Sequence, residues 1–543
     1  MTAPSANVAR FLPRMAAQVP EHCAVKVPLG QGSDGTIRYR ERSFAELERE
    51  SNAVAHLLEQ RGIRRGTRTL LMVKPGLDLI QLTFALFKVG AVPVVIDPGL
   101  GLKHFLRCVR HTQPEAIVGI PLAQAVRQVF RGSFKSVKRG LTVGGSFQKH
   151  VQQQAGRQAD YHPVEARPDE LAAILFTSGS TGPAKGVCYT HAMFDAQVRL
   201  IGRQYAIQPG EVDLPMLPVF ALFNPAFGMT TIVPLMNPSR PATVDPAVIV
   251  RAIQQDQVTN SFGSPALWTK VVRHLEQTGD TLPSLRRILM AGAPVPPGLI
   301  QRLKRFLPNG EIHTPYGATE CLPVASISGT EVLEETATQT ATGAGTCVGR
   351  PLPEVEARII DLHEGPLADW STVRVLRPGQ IGEIVVTGPS VTESYDRLPE
   401  KTAAAKIRDG QRIWHRMGDL GYRDVDGRLW FCGRMAERVE TEHGTLYTDP
   451  IEAIFNQHPL VFRSALIGLG ARPLQVPAIV IEPYDKLTPV LQERLETDLL
   501  AWAASHEKTR MIHKVFFFKP FPVDVRHNAK IHRLTLQKRF EQR

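Results

Sequence analysis

Leu175–Thr190 reads LFTSGSTGPAKGVCYT. It overlaps the end of an apolar run, LAAILFT at 171–177, whose length and bounding fit a buried strand. Thr177, Ser178, Ser180 and Thr181 are interleaved with Gly179, Gly182 and Gly186, and Lys185 supplies a cation. Glycines let backbone N–H groups come close to phosphate oxygens. The hydroxyls add donors and the lysine adds positive charge. A strand leading into such a segment fits a phosphate-binding loop or a polar surface loop. The spacing is not G-x-x-x-x-G-K-[ST], so a Walker-type loop is excluded.

The surroundings predict the fold that carries this loop. SFAELERESNAVAHLLEQRG (43–62) reads as a helix, with Ser43 as N-cap, Glu46 three residues on and Gly62 at its stop. TRTLLMVKP (67–75), a helical LDLIQLTFALFKVG (77–90) and AVPVVIDP (91–98) follow. Further short apolar runs stand at 115–120 and 286–292. Strands alternating with helices predict βαβ units, a parallel sheet and an α/β fold. Residues 330–349, rich in Thr, Ala and Gly, are expected to form a loop. Beyond them the pattern turns to strands at 355–361, 382–388, 421–424 and 427–433. A boundary is expected at Gly433–Arg434, giving a large N-terminal domain (1–433) and a small α+β C-terminal domain (434–543).

Composition bounds the function. With 543 residues, 43% hydrophobic and 21% charged, the chain is too ordinary for a disordered polymer and too long for one core. Six scattered cysteines without a C-x-x-C suggest neither a zinc site nor a redox dithiol. No secretory signal is read at the N-terminus, and a cytoplasmic location is expected, peripheral to a membrane at most. The net charge is +12, and residues 501–543 hold ten Lys/Arg against three Asp/Glu. That tail contains MIHKVFFFKPFPV, read as a strand and a turn, so a folded terminal domain is expected and no nucleic-acid partner. Leu214–Ser239 is uncharged over 26 residues but holds five prolines, at 215, 218, 225, 234 and 238. Proline removes helical donors, so no transmembrane segment is expected there. The stretch is read as buried core or as the wall of an apolar channel.

The glycine-rich word resembles the phosphate loop of the adenylate-forming superfamily of acyl-CoA synthetases, luciferases and peptide-synthetase adenylation domains. Further words match in family order. Tyr316-Gly317-Ala-Thr319-Glu320 resembles the motif in which the aromatic ring packs on adenine, the threonine meets the phosphates and the glutamate helps hold Mg²⁺. Asp419, in Gly418-Asp-Leu-Gly421, resembles the aspartate that accepts the ribose hydroxyls, and Arg434 the ribose-contacting arginine before the hinge. Lys530, in His527-Asn-Ala-Lys-Ile, resembles the lysine bridging substrate carboxylate and α-phosphate. Gly292-Ala293-Pro294 resembles the loop beside the acyl-adenylate. The resemblance implies ATP and Mg²⁺ as cofactors, catalysis by Lys530, Lys185 and Glu320, and attack of a carboxylate on the α-phosphate.

Departures from that pattern concern the second nucleophile. Thioester-forming relatives have a Gly-Gly turn after the hinge, where this chain has Arg438-Val-Glu-Thr-Glu-His-Gly444. Ala436 stands at the usual hinge position, the loop reads Gly182-Pro-Ala-Lys185, and Pro218-Val-Phe-Ala221 lacks the common histidine. These features, with the proline-rich stretch and the HNAKI word, resemble the β-lactone synthetases of bacterial long-chain olefin biosynthesis. That branch implies a long-chain 2-alkyl-3-hydroxy fatty acid as substrate and its own 3-hydroxyl as nucleophile. It also implies a place among other olefin-biosynthesis enzymes in a multienzyme assembly. Phe220, Ala221, Phe223 and Gly228 are the expected acyl-pocket residues. An ordinary long-chain acyl-CoA ligase and a non-catalytic scaffold stay open as alternatives. His191 and His313 flank motifs and are read as structural.

Overall fold

The computed structural model describes residues 5–157, 160–176, 184–216, 222–237, 243–524 and 530–541. The chain starts with a short helix, α1 (Phe11–Gln18), a hairpin, β1 (Cys23–Gln31) and β2 (Ile37–Ser43), and a long helix, α2 (Phe44–Gln60). The expected capping box is present: Ser43 Oγ accepts from the Glu46 N–H while Glu46 Oε2 accepts from the Ser43 N–H.

The first βαβ region runs through β3 (Arg68–Met72), α3 (Leu77–Lys88), β4 (Val92–Val95), α4 (Leu102–Thr112), β5 (Ala116–Gly119), α5 (Pro121–Val129), β6 (Arg139–Thr142), α6 (Phe147–Ala155), β7 (Leu171–Phe176) and β8 (Gly186–Thr190). Its sheet has the order β6-β5-β3-β4-β7-β8, parallel except for the β7–β8 pair. From β3 the chain steps one way to β4 and then the other way through β5 to β6. Right-handed crossovers therefore put α3 on one face and α4 and α5 on the other. The cores agree. Residues of α2, α3 and α6 share one cluster, and Phe105, Leu106, Val109, Ala123 and Phe134 share the opposite one.

A second, larger sheet begins after α7 (His191–Gln204). It contains β9 (Val212–Pro215), β10 (Thr230–Ile232), β11 (Asn260–Gly263), β12 (Arg287–Met290), β13 (Glu311–Ala318), β14 (Cys321–Ser328), β15 (Thr346–Pro351), β16 (Glu356–Ile360), β17 (Gly382–Thr387), β18 (Lys406–Asp409), β19 (Arg412–Arg423) and β20 (Leu429–Arg434), and β1 and β2 close one edge. β9 to β13 are parallel, and from β13 through β14, β15, β20, β19 and β17 the pairs are antiparallel. A buried polar network ties the starts of the parallel strands together. Asp213 accepts from Asn224 (2.8 Å) and Asn260 (2.6 Å), and Asn224 also donates to Thr231. Arg287 pairs with Glu211 at 2.8 Å. Burial pushes the Asp213 carboxyl up to about 6, against the pull of the two amides.

Residues 439–541 build their own small sheets. β21 (Val439–Thr441) pairs with β22 (Gly444–Leu446), and β23 (Val461–Leu469), β24 (Val476–Pro483) and β25 (Val515–Phe517) form a three-stranded sheet. Helices α8 (Thr448–Phe455), α9 (Pro489–Ser505) and α10 (Arg533–Phe540) complete two cores of their own. Thr346 to Asp449 (2.8 Å) and Lys508 to the Gly343 carbonyl join this unit to the rest.

The structure corrects one reading and describes part of a second stretch. The expected loop at 330–349 is instead a helical run, Gly329–Ala341 with a π turn at Val332–Thr336, followed by β15. Ser328 caps it through the Glu331 N–H, and Val332 and Thr336 are buried. Packing and a cap override the weak helix preference of threonine. The uncharged 214–239 stretch contributes the end of β9, a turn of helix at Asn224–Phe227 and β10. Among the described residues no helix is long and apolar enough to cross a membrane.

Candidate active site

The ends of parallel strands opposite the Asp213 network carry the site, as expected for open α/β sheets. Thr177, Ser178, Gly179, Ser180, Thr181 and Gly182 lie outside the described residues. The chain resumes at Ala184–Lys185, and Gly186 opens β8 opposite Phe176, the last residue of β7. Lys185 sits with its ammonium 4.7 Å from the centre of the Tyr395 ring. Burial lowers its pKa, and the charge of Glu320 opposes that shift.

Glu320 and Thr319 form the two-residue connection of the β13–β14 hairpin, where Ala318 pairs with Cys321. A register shift between Tyr316 and Ala318 falls at Gly317, where a Cβ would stand 2.7 Å from the Cys321 carbonyl. Only glycine fits this bulge, and bulges redirect neighbouring side chains. Tyr395 donates from Oη to Glu320 Oε1 (2.7 Å), and burial pushes its phenol far up. The Thr392 N–H (2.8 Å) and hydroxyl (3.1 Å) both donate to the Glu320 carbonyl. Lys406 in turn donates to the Thr392 carbonyl, its pKa lowered by burial to about 8. Tyr189 donates to the Thr319 carbonyl. Sequence reading missed Tyr189, which stands near the end of the glycine-rich word without a role in it, and Thr392, Tyr395 and Lys406, which lie in no recognisable word and reach the site only through the sheet.

A second group lies where β13 meets β19 and β20. Tyr316 donates from Oη to Asp419 Oδ2 at 2.6 Å. Arg434, the register partner of Asp419, places Nη1 2.7 Å from Oδ1. That approach is off the line of an N–H bond, so the contact is an ion pair and Oδ1 is left without a directed hydrogen bond. Burial raises the Asp419 carboxyl pKa, with Arg434, the Tyr316 hydrogen bond and Lys530 pulling it back. Burial and the neighbouring Asp419 push the Tyr316 phenol well up. Lys530 is exposed, and its N–H donates to Asp524 Oδ1 at 2.9 Å. Three residues beyond it, Arg533 grips Glu437 (2.9 Å) and Glu452 (2.6 Å).

Gly292-Ala293-Pro294 follows β12, with Gly292 at φ 98°. The register that sets Leu289 beside His313 runs on towards Gly292 and Tyr316. Of the expected acyl-pocket residues, Phe220 and Ala221 lie outside the described residues. Phe223 faces Phe194 at 6.4 Å, and Phe194 stacks on Tyr189 at 4.8 Å. Gly228 ends the Asn224–Phe227 turn in the left-handed region, and a Cβ there would meet Met15 Sδ at 3.1 Å and Pro209 at 3.2 Å. Its backbone conformation accounts for the glycine. His191 accepts from the Val8 N–H, and burial lowers its pKa to about 4. His313 packs edge-on to Tyr205. The 438–444 segment is the β21–β22 hairpin, with Glu440 bound to Arg438 and Arg472 bracing the Ala436 and Arg438 carbonyls.

Comparison with known proteins places the chain. The family model described as AMP-binding enzyme matches residues 12–396. An olefin beta-lactone synthetase of Xanthomonas campestris pv. campestris is 44% identical over 540 residues, covering 97% of this chain and 96% of the relative. One from Stenotrophomonas maltophilia is 45% identical over 547 residues, with the same coverage. ATP-bound MatB from Rhodopseudomonas palustris superposes with a TM-score of 0.78 at 22% identity, covering 99% of both chains. The chain belongs to the AMP-binding enzyme family and is an enzyme of the AMP-forming ligase type.

Proposed function

We propose that this AMP-binding enzyme converts a long-chain 2-alkyl-3-hydroxy fatty acid to a β-lactone. The observation that carries the reading is identity of 44% and 45%, over nearly the whole chain, to two proteins named olefin beta-lactone synthetase. The acid's carboxylate oxygen attacks the α-phosphorus of ATP, the α–β phosphoanhydride breaks, and pyrophosphate leaves. The 3-hydroxyl oxygen then attacks the acyl carbon, its proton is released, the acyl–phosphate C–O bond breaks, and AMP leaves. The nucleophile is already tethered, which can stand in for an effective molarity of up to ~10⁵–10⁸ M, less the share lost to ring strain.

The residues take roles that suit their surroundings. Lys185 and Lys530 supply positive charge where two anions meet, the main contribution a protein can make to that transition state. Thr177 to Gly182 hold the phosphates, and Thr319 adds a hydroxyl. Tyr316 packs on adenine beside Gly292, Ala293 and Pro294, and Asp419 and Arg434 take the ribose. The acceptor left open on Asp419 Oδ1 supports that assignment, because a ribose hydroxyl is the donor it lacks. Glu320 offers one carboxylate held by Tyr395, and among the described residues no cluster of three or more His, Cys, Asp or Glu could hold a metal. One hard oxygen ligand backed by nucleotide phosphates suits Mg²⁺, which would neutralise phosphate charge. Phe220, Ala221 and Phe223 line the acyl wall.

The division at Gly433–Arg434 makes residues 434–543 a lid that presents Lys530. The enzyme works in the cytoplasm beside others of olefin biosynthesis. The reading is tested with the acid lacking its 3-hydroxyl. It should support ATP–pyrophosphate exchange yet release only about one equivalent of AMP, since no nucleophile remains and water is excluded. Continuous turnover of that acid would overturn the tethered mechanism. Lys530→Ala should lose exchange by about 100-fold or more while its melting point stays put, because one misplaced catalytic charge costs several kcal/mol. Exchange within threefold of wild type, about 0.6 kcal/mol and within the range of a dispensable surface charge, would remove Lys530 from the mechanism.

A further inference from the structure

We infer that the outer layer formed by α4, the Arg131–Phe134 turn and α5 is a docking surface for an anionic phospholipid bilayer. Residues 101–140 hold eight Lys and Arg against a single carboxylate, Glu115. The shared core under Phe105, Leu106, Val109, Ala123 and Phe134 packs α4, this turn and α5 side by side on one face of the six-stranded sheet. Their outer sides therefore belong to one surface.

On α4 the buried positions are Phe105, Leu106, Cys108, Val109 and Thr112. The opposite side carries Lys103, Arg107 and Arg110, at i, i+4 and i+7, all exposed. Arg131, Lys135 and Lys138 are exposed beside it, and among the described residues none of these six has a carboxylate within 4 Å. Glu115 is engaged by Arg139 at 3.6 Å. The same layer leaves large apolar side chains in water: Leu102 is 50% exposed, Leu122 68% and Val129 74%. Leu102 and Leu122 both stand in the first turn of helices that run the same way, so they share one end of the layer.

Cations alone would suit any polyanion. Cations interleaved with protruding Leu and Val suit a headgroup layer, where the charges meet lipid phosphates and the apolar tips enter the acyl boundary. A nucleic-acid backbone offers those apolar tips no apolar phase to enter. A bilayer is also where a long-chain acid resides.

Full-length protein floated with vesicles tests this without ATP or acid. Binding is expected to phosphatidylcholine–phosphatidylglycerol vesicles, not to phosphatidylcholine alone, and to weaken with added salt. Each cation near such a surface is worth about fivefold in binding. The variant K103E/R107E/R110E should therefore lose on the order of 100-fold or more. K103Q/R107Q/R110Q should lose nearly as much, which guards against an effect of misfolding in the first. R510E/K514E/K538E, at exposed cations of the C-terminal unit, should bind as wild type. Equal losses in the two triple charge reversals, equal binding to neutral vesicles, or duplex DNA outcompeting the vesicles through the same three residues would overturn the inference.

Discussion

Two buried aspartates in one sheet meet opposite fates. Asp213, at the start of β9, has an amide donor on each oxygen, from Asn224 and Asn260. Asp419, on β19, has Tyr316 on one oxygen and Arg434 beside the other, with no directed donor there. Burial raises both carboxyl pKa values. The shift alone therefore does not separate a structural carboxylate from a binding one. The partners differ: two amides close the Asp213 oxygens, whereas Asp419 Oδ1, held only by the Arg434 ion pair, can still accept a hydrogen bond from a ligand.

Substitution should separate the two sites. Asp419→Ala is expected to cut kcat/KM for ATP on the order of 100-fold, the worth of one or two charge-assisted hydrogen bonds, measured by pyrophosphate exchange. An unchanged KM for ATP would move the ribose elsewhere. Asp213→Ala should spare exchange per folded molecule but lower stability by ~2–4 kcal/mol in denaturant titration, because two buried amides lose their acceptor. A large loss of exchange at unchanged stability would make Asp213 functional as well.

The pH dependence sharpens the contrast. The Asp213 pKa rises from 3.8 to about 6 on folding, so its contribution to stability is full below about 4 and is lost as pH rises through about 6. Asp213→Asn lacks that loss. Its melting point relative to wild type should climb between pH 4 and 7, and a flat difference would mean the carboxyl is not raised. The smallest effect expected is at Gly228. Alanine there should cost about 1 kcal/mol, from the left-handed backbone and the contacts with Met15 and Pro209. A shortened acyl preference at unchanged melting point would instead make Gly228 part of the pocket wall.

Much of this was legible in the order of residues. Ser43 and Glu46 announce a helix start because a capping box is local, and the apolar runs at 67–73 and 171–176 announce strands because both faces are buried. Glu320, Asp419 and Arg434 stand out through words whose spacing is set by single turns and strand ends. Thr392 and Tyr395 do not, since their contacts with Glu320 span 72 and 75 residues and depend on how the sheets meet, and Lys406 joins them only through the Thr392 carbonyl. The Gly329–Ala341 helix was hidden by its threonines. The basic layer of α4 and α5 was hidden because its charges are spread over two helices joined only by a shared core.

The central claim is that the second nucleophile is the substrate's own hydroxyl. Product analysis with a long-chain 2-alkyl-3-hydroxy acid, ATP and Mg²⁺, with and without CoA, tests it most directly. A β-lactone formed over many turnovers, at a rate and yield indifferent to CoA, is the predicted result. A CoA-dependent thioester as the main product would contradict it and make this chain an acyl-CoA ligase.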